Sequence, residues 1–97
     1  MLAIIENSLA GMIEIRDFKH ISLFFVDGKN QKRGIAKSLL AMAIDKIKKQ
    51  NSMINSISVN SSPYGVSAYE KMGFQKSDDE QVIKGMRFTP MIKLLFS

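Results

Sequence analysis

The chain has 97 residues, 45% hydrophobic and 24% charged, with no Cys, one His and a formal net charge of +5. That length fits one domain, residues 1–97, burying about 60 to 65% of its unfolded surface, while the missing Cys excludes a disulfide framework, a thiolate metal site and a cysteine nucleophile. One His argues against a zinc cluster, no apolar run approaches the ~20 residues of a membrane span, and no cationic segment precedes the apolar N-terminus, so the expectation is a cytoplasmic chain with no metal and no membrane partner.

The chain opens on alternation. "LAIIE" and "GMIEIRDF", with a turn signal at "NSLAG" between them, predict a β-hairpin. "HISLFFV", residues 20–26, is a denser β-branched and aromatic run, the pattern of a strand covered on both faces, and it ends at the turn cluster "DGKN". From Gln31 to about Lys49 the period changes. Ile35, Leu39, Leu40, Ala43, Ile44 and Ile47 form one apolar stripe, while Lys37, Asp45, Lys48 and Lys49 face water, as in an amphipathic helix of four to five turns.

"QNS" stops that helix, and "INSISVN" alternates Ile57 and Val59 with Ser58 and Asn60, which predicts a strand. In "SSPYGVSAYEKMGF", Ser62 can cap a helix of roughly three turns that starts at Pro63 and closes on Gly73. "QKSDDE" reads as a loop, and "QVIKGMRF" and "MIKLLF" as two last strands separated by Thr89 and Pro90. The strand, helix and strand in the middle are spaced for a right-handed crossover. The fold class is therefore mixed α/β (α+β), a mostly antiparallel sheet with a central parallel β-α-β crossover.

The lysines gathered between positions 29 and 49 suit a solvated helix face, a nucleic acid, an acidic surface or a polyphosphate. A phosphate has one specific place to go. Gly34 stands in the first turn of the long helix, where free amides and the positive end of the dipole favour an anion, with Lys32, Arg33 and Lys37 around it. The P-loop pattern does not fit, because five residues lie between Gly28 and Gly34 and Ile35 and Ala36 follow. The dinucleotide fingerprint needs three glycines after the strand and finds one.

Gln31, Gly34 and Ala36, in "Q-K-R-G-I-A", match the pyrophosphate loop of the GNAT N-acetyltransferase superfamily. "AYEKMGF", Ala68 to Phe74, closely resembles that superfamily's second signature, and "GMRFTPMIKLL" resembles its closing strands. The resemblance runs from about residue 2 to residue 95, with the coenzyme-binding core at about 20–75. It implies transfer of an acetyl group from acetyl-CoA to a small-molecule or peptide amine. By the same resemblance, the two parallel strands splay and the pantetheine arm of CoA binds the backbones of Phe24 and Val26, which polarise the thioester. The amides of Lys32, Arg33, Gly34, Ile35, Ala36 and Lys37, beside Gln31, hold the pyrophosphate.

Tyr69 matches the position whose phenol protonates the departing thiolate. Reference pKa values of about 10 and about 8.5 leave the phenol able to donate at neutral pH. The plainer role for Tyr69 is packing its ring on the sheet. Many members carry an Asn seven residues before that Tyr; here Ser62 stands there, with Asn60 two residues earlier, and either can meet the pantetheine arm. Members usually begin with a further strand and two helices that wall the acceptor site, and the expectation here is a chain that starts at what corresponds to the second strand, without them. Apolar surface left bare by them favours a homodimer. Glu14 and His20 are the candidate bases, and neither is assigned. The alternatives are a catalytically silent CoA-binding module and a basic nucleic-acid-binding module; a nucleic-acid partner is not expected, because the lysines flank a stripe that reads as buried.

Overall fold

Period-two runs at both ends of the sequence and one period-3.6 run in the middle resolve into a mixed α+β chain. The computed structural model describes residues 2–5, 8–17, 19–26 and 34–95. The chain divides into two units, Met1–Ile54 and Asn55–Ser97.

In the first unit, β1 (Leu2–Ile5) pairs antiparallel with β2 (Ser8–Arg16), and β2 with β3 (His20–Val26). The turn expected at "NSLAG" is narrower than its composition suggests. Ser8, Leu9 and Ala10 already belong to β2, with Ile5 opposite Ser8 and Ile4 opposite Leu9, since pairing satisfies main-chain groups that a longer turn would leave to water. Across β2 and β3, Gly11 faces Val26 and Ile13 faces Phe24, and the register slips between Glu14 and Ile15.

The period-3.6 stripe forms α1 (Ile35–Gln50), which buries Ile35, Leu39, Leu40, Ala43 and Ile47, while Ile44 is half-buried. Each large apolar side chain removed from water in this way contributes about 1.5 to 3 kcal/mol of transfer free energy. Asn51 ends the helix, donating its N–H to the Ile47 carbonyl while its Oδ1 accepts the N–H of Met53. The helix starts later than the expected Gln31. Gly34 is its N-cap, at φ 74° and ψ 12°, and not part of the first turn, because a left-handed residue cannot continue a right-handed helix. The turn cluster at 27–30 and the residues 31–33 lie outside the described residues.

β3 departs from the expectation of a strand covered on both faces. Leu23 and Phe25 are 42% and 40% exposed, opposite Glu14 and Met12, because α1 covers only the face that carries Ile13.

In the second unit, β4 (Ser56–Ser61) pairs antiparallel with β7 (Met86–Leu94), with Val59 opposite Met91 and Ser61 opposite Thr89. The other edge of β7 takes β5 (Gln75–Lys76) and then β6 (Gln81–Ile83), which turns back through Lys84 and Gly85, both at positive φ, in a type I′ hairpin. Two expectations change here. Gln75 and Lys76 are strand where a loop was predicted, and β7 runs unbroken through Thr89 and Pro90. Pro90 is tolerated because its carbonyl accepts the Ser77 N–H, which puts the proline nitrogen on the same side, level with the gap between β5 and β6 where no ladder bond is lost.

α2 (Val66–Lys71) is six residues, shorter than the three turns expected from Pro63. Ser62 does cap, but it caps a turn and not the helix. Its Oγ and its carbonyl both accept the Gly65 N–H, at 3.2 and 3.0 Å, which folds Pro63 and Tyr64 into a β-turn ahead of α2. At the other end, Phe74 N–H bonds the Tyr69 carbonyl and Gly73 N–H the Glu70 carbonyl, a Schellman closure with Gly73 at φ 94°, as predicted for that glycine. Lys93 Nζ adds a bond to the Met72 carbonyl at 2.9 Å, so α2 lies on the β7 face that carries Lys93, Met91 and Thr89. No described helix is long and apolar enough to cross a membrane.

Candidate active site

The first unit holds the candidates at the start of α1. Buried Ile35 anchors the first turn, Ala36 is half-buried, and Gly34 and Lys37 are exposed. The first intrahelical bond is Ser38 N–H to the Gly34 carbonyl, at 3.0 Å. Gly34 has no side chain to cap the amides ahead of it, and no acid stands in the first turn. These amides and the helix dipole therefore present positive potential with nothing in the helix to quench it. A Cβ built on Gly34 would meet nothing within 4 Å among the described residues. A diphosphate fits such a terminus, with Lys37 supplying a formal charge. Gln31, Lys32 and Arg33 lie outside the described residues.

Phe24 and Val26 are half-buried in β3, their side chains on the α1 face with Ile13 and Gly11 opposite. Glu14, on the other face, accepts a hydrogen bond from Ser22 Oγ at 3.0 Å. It also lines a groove of about 330 Å³ with Asp17, Lys46 and Gln50. That groove follows the C-terminal half of α1, the end away from Gly34. His20 is half-buried at the head of β3.

The second unit holds Asn60, Ser62 and Tyr69. Tyr69 is half-buried on α2, edge-on to Phe74 with ring centroids 5.2 Å apart. Burial raises its phenol above the ordinary value, because the phenolate is poorly solvated there. The ring is close to Gly65: a Cβ at that position would lie 3.5 Å from Tyr69 Cε2 and 2.8 Å from Ser61 Oγ. Ser61 is buried and donates its hydroxyl to the Ser62 carbonyl at 2.8 Å. Ser62, Gly65 and Tyr69 thus form one cluster, tied by the turn and by the bond from Tyr69 N–H to the Gly65 carbonyl. Asn60 is exposed at the end of β4, on the face away from Ser61. Gly65 was not singled out from the sequence, although the "SPYG" turn signal marks it.

The profile of the Acetyltransferase (GNAT) domain family matches residues 1–95. No curated protein matches the chain. Among solved structures, a GCN5-related N-acetyltransferase from Rhodopseudomonas palustris superposes with a TM-score of 0.81 at 20% identity, over 97% of this chain and 59% of its own. An aminoglycoside 6'-N-acetyltransferase complexed with coenzyme A gives 0.78 at 11% identity, over 99% of this chain and 72% of its own. An IAA acetyltransferase from Bacillus cereus gives 0.73 at 22%, over 97% and 75%. At these identities the likeness is one of fold, and the chain spans less than two thirds of the length of the first of them.

Proposed function

The chain belongs to the GNAT acetyltransferase domain family, and from that premise we propose that it binds coenzyme A and transfers an acetyl group to an amine. The single observation that carries this reading is the start of α1, free of acids in its first turn and N-capped by a left-handed Gly34 whose Cβ position is clear among the described residues. Acetyl-coenzyme A supplies the activated acyl group as its thioester.

The chain's own part has three pieces in this proposal. The amides of Ile35, Ala36 and Lys37, with Gly34, Gln31, Lys32 and Arg33, bind the diphosphate, and the Lys37 ammonium adds charge from the exposed side of the turn. The main chain of Phe24 and Val26 binds the pantetheine arm and orients the thioester, with Asn60 or Ser62 as a further contact. Tyr69 holds a proton on its phenol oxygen and gives it to the leaving sulfur. The phenol is protonated over the whole neutral range, as an unshifted phenol already is, and burial raises its pKa further. The acceptor is a small-molecule or peptide amine, and no base is assigned for it.

We also propose that the chain works as a homodimer in the cytoplasm, without a nucleic-acid or membrane partner. Exposed Leu23 and Phe25 on one strand face support self-association.

Turnover of acetyl-coenzyme A against a panel of polyamines, amino acids and peptides tests the proposal. Thiol release with an acetylated product is expected for at least one amine, and Tyr69→Phe should lower kcat by about 10²-fold or more with KM for the coenzyme little changed. Coenzyme binding without turnover on any amine would assign the chain instead as a silent coenzyme-binding module. Equal kcat in Tyr69→Phe would remove the phenol from the mechanism.

A further inference from the structure

A second candidate site lies wholly in the second unit. A groove of about 390 Å³ is lined by Pro63 and Val66 ahead of and in α2, by Lys76, Asp79 and Glu80 around the link from β5 to β6, and by Thr89 of β7. Lys76 stands opposite Met91, so it shares with Thr89 the β7 face on which α2 lies.

Three polar side chains in it have no partner among the described residues. Thr89 is only 5% exposed, its hydroxyl makes no hydrogen bond among the described residues, and yet no side-chain oxygen is both sealed off and unbonded. The part of Thr89 that remains accessible therefore opens into the groove it lines. Asp79 offers a carboxylate outside any ion pair among the described residues, and Lys76 an ammonium in the same state. Glu80 is already matched, since Arg87 Nε and Nη2 both donate to its Oε2, at 3.2 and 3.1 Å.

The loop is held in place before any ligand arrives. Asp78 accepts the Asp79 N–H and Gln81 Nε2, at 2.8 and 3.1 Å, and Ser77 N–H bonds the Pro90 carbonyl at 2.9 Å. Asp78 is thereby occupied with the main chain and a neighbour, while the Asp79 side chain is left to the groove. The net remainder is one anion, one cation, one hydroxyl at the groove wall and the apolar surface of Pro63 and Val66.

We propose that this groove binds a small zwitterion of the amino-acid class. The ligand's ammonium pairs with Asp79, its carboxylate with Lys76, Thr89 bonds one of the two, and an apolar side chain lies on Pro63 and Val66. The site is independent of acyl transfer and stands whether or not the chain acetylates anything.

Calorimetry on the full chain with L-leucine, L-leucinamide and N-acetyl-L-leucine tests it. Leucine should bind saturably, and each blocked derivative, lacking one of the two charges, should bind about tenfold more weakly or worse, ~1.4 kcal/mol. Asp79→Asn, Lys76→Met and the isosteric Thr89→Val should each weaken leucine, with an unchanged unfolding curve for the two exposed positions. Absence of leucine binding up to saturation of the calorimetric window would overturn the proposal. So would equal affinity for the blocked derivatives, or leucine affinity unmoved in both Asp79→Asn and Lys76→Met.

Discussion

Tyr69 lies edge-on to Phe74 in a partly buried setting, and this burial disfavours the phenolate. Its pKa is raised on folding, so the folded chain holds that proton more tightly than the unfolded one. The contribution to stability is fully present below the ordinary phenol value of about 10 and is lost as pH rises through the higher folded value. Tyr69→Phe should therefore gain on the wild type in relative stability as pH is raised above about 10, and not between neutrality and that point; urea unfolding at stepped pH measures it. Beside it, Gly65 is a matter of room. Gly65→Ala would push a methyl onto Ser61 Oγ, and overpacking of this kind costs about 1 to 3 kcal/mol. Adding Ser61→Ala should recover part of that loss, a coupling that a double-mutant cycle reads directly. Purely additive losses would show that the close approach does not matter.

At the scale of elements, α1 decides most. Leu39, 2% exposed, sits against the sheet beneath the helix, and Leu39→Ala should cost about 2 to 5 kcal/mol in unfolding free energy. Gly34→Ala is a different kind of change. There is space for the methyl, but φ 74° strains any L side chain, so the loss should be about 1 to 2 kcal/mol, and Gly34→Asn should lose less. The stripe from Ile35 to Ile47 was legible in the sequence, because burial on one helix face imposes a period that composition cannot hide. So was Gly73, a glycine followed by an apolar residue just past a short helix, the pattern of a left-handed closure. The helix starts were not legible. Ser62 and Pro63 have the chemistry of a helix N-terminus and equally that of a β-turn, and the Gly65 N–H settles it by bonding back to Ser62. Pro90 was read as a break because a proline usually ends pairing; only the gap between β5 and β6, a long-range feature, lets β7 pass through it. The exposed face of β3 was likewise invisible, since "ISLFFV" is as apolar as a strand covered twice.

For the whole molecule, the two units carry the proposed residues separately: Phe24, Val26 and the start of α1 in one, Asn60, Ser62 and Tyr69 in the other. Self-association through Leu23 and Phe25 predicts a dimer in sedimentation velocity at micromolar concentration, and Leu23→Lys should shift it to monomer without altering the unfolding curve. A monomeric wild type would remove the homodimer. The transferase proposal depends most on the start of α1 holding a diphosphate. Calorimetry comparing coenzyme A with pantetheine, which lacks the diphosphate, tests that most directly: coenzyme A should bind at least about tenfold more tightly, ~1.4 kcal/mol, and Lys37→Ala should narrow the gap. Equal affinities, or no binding of coenzyme A, would contradict it.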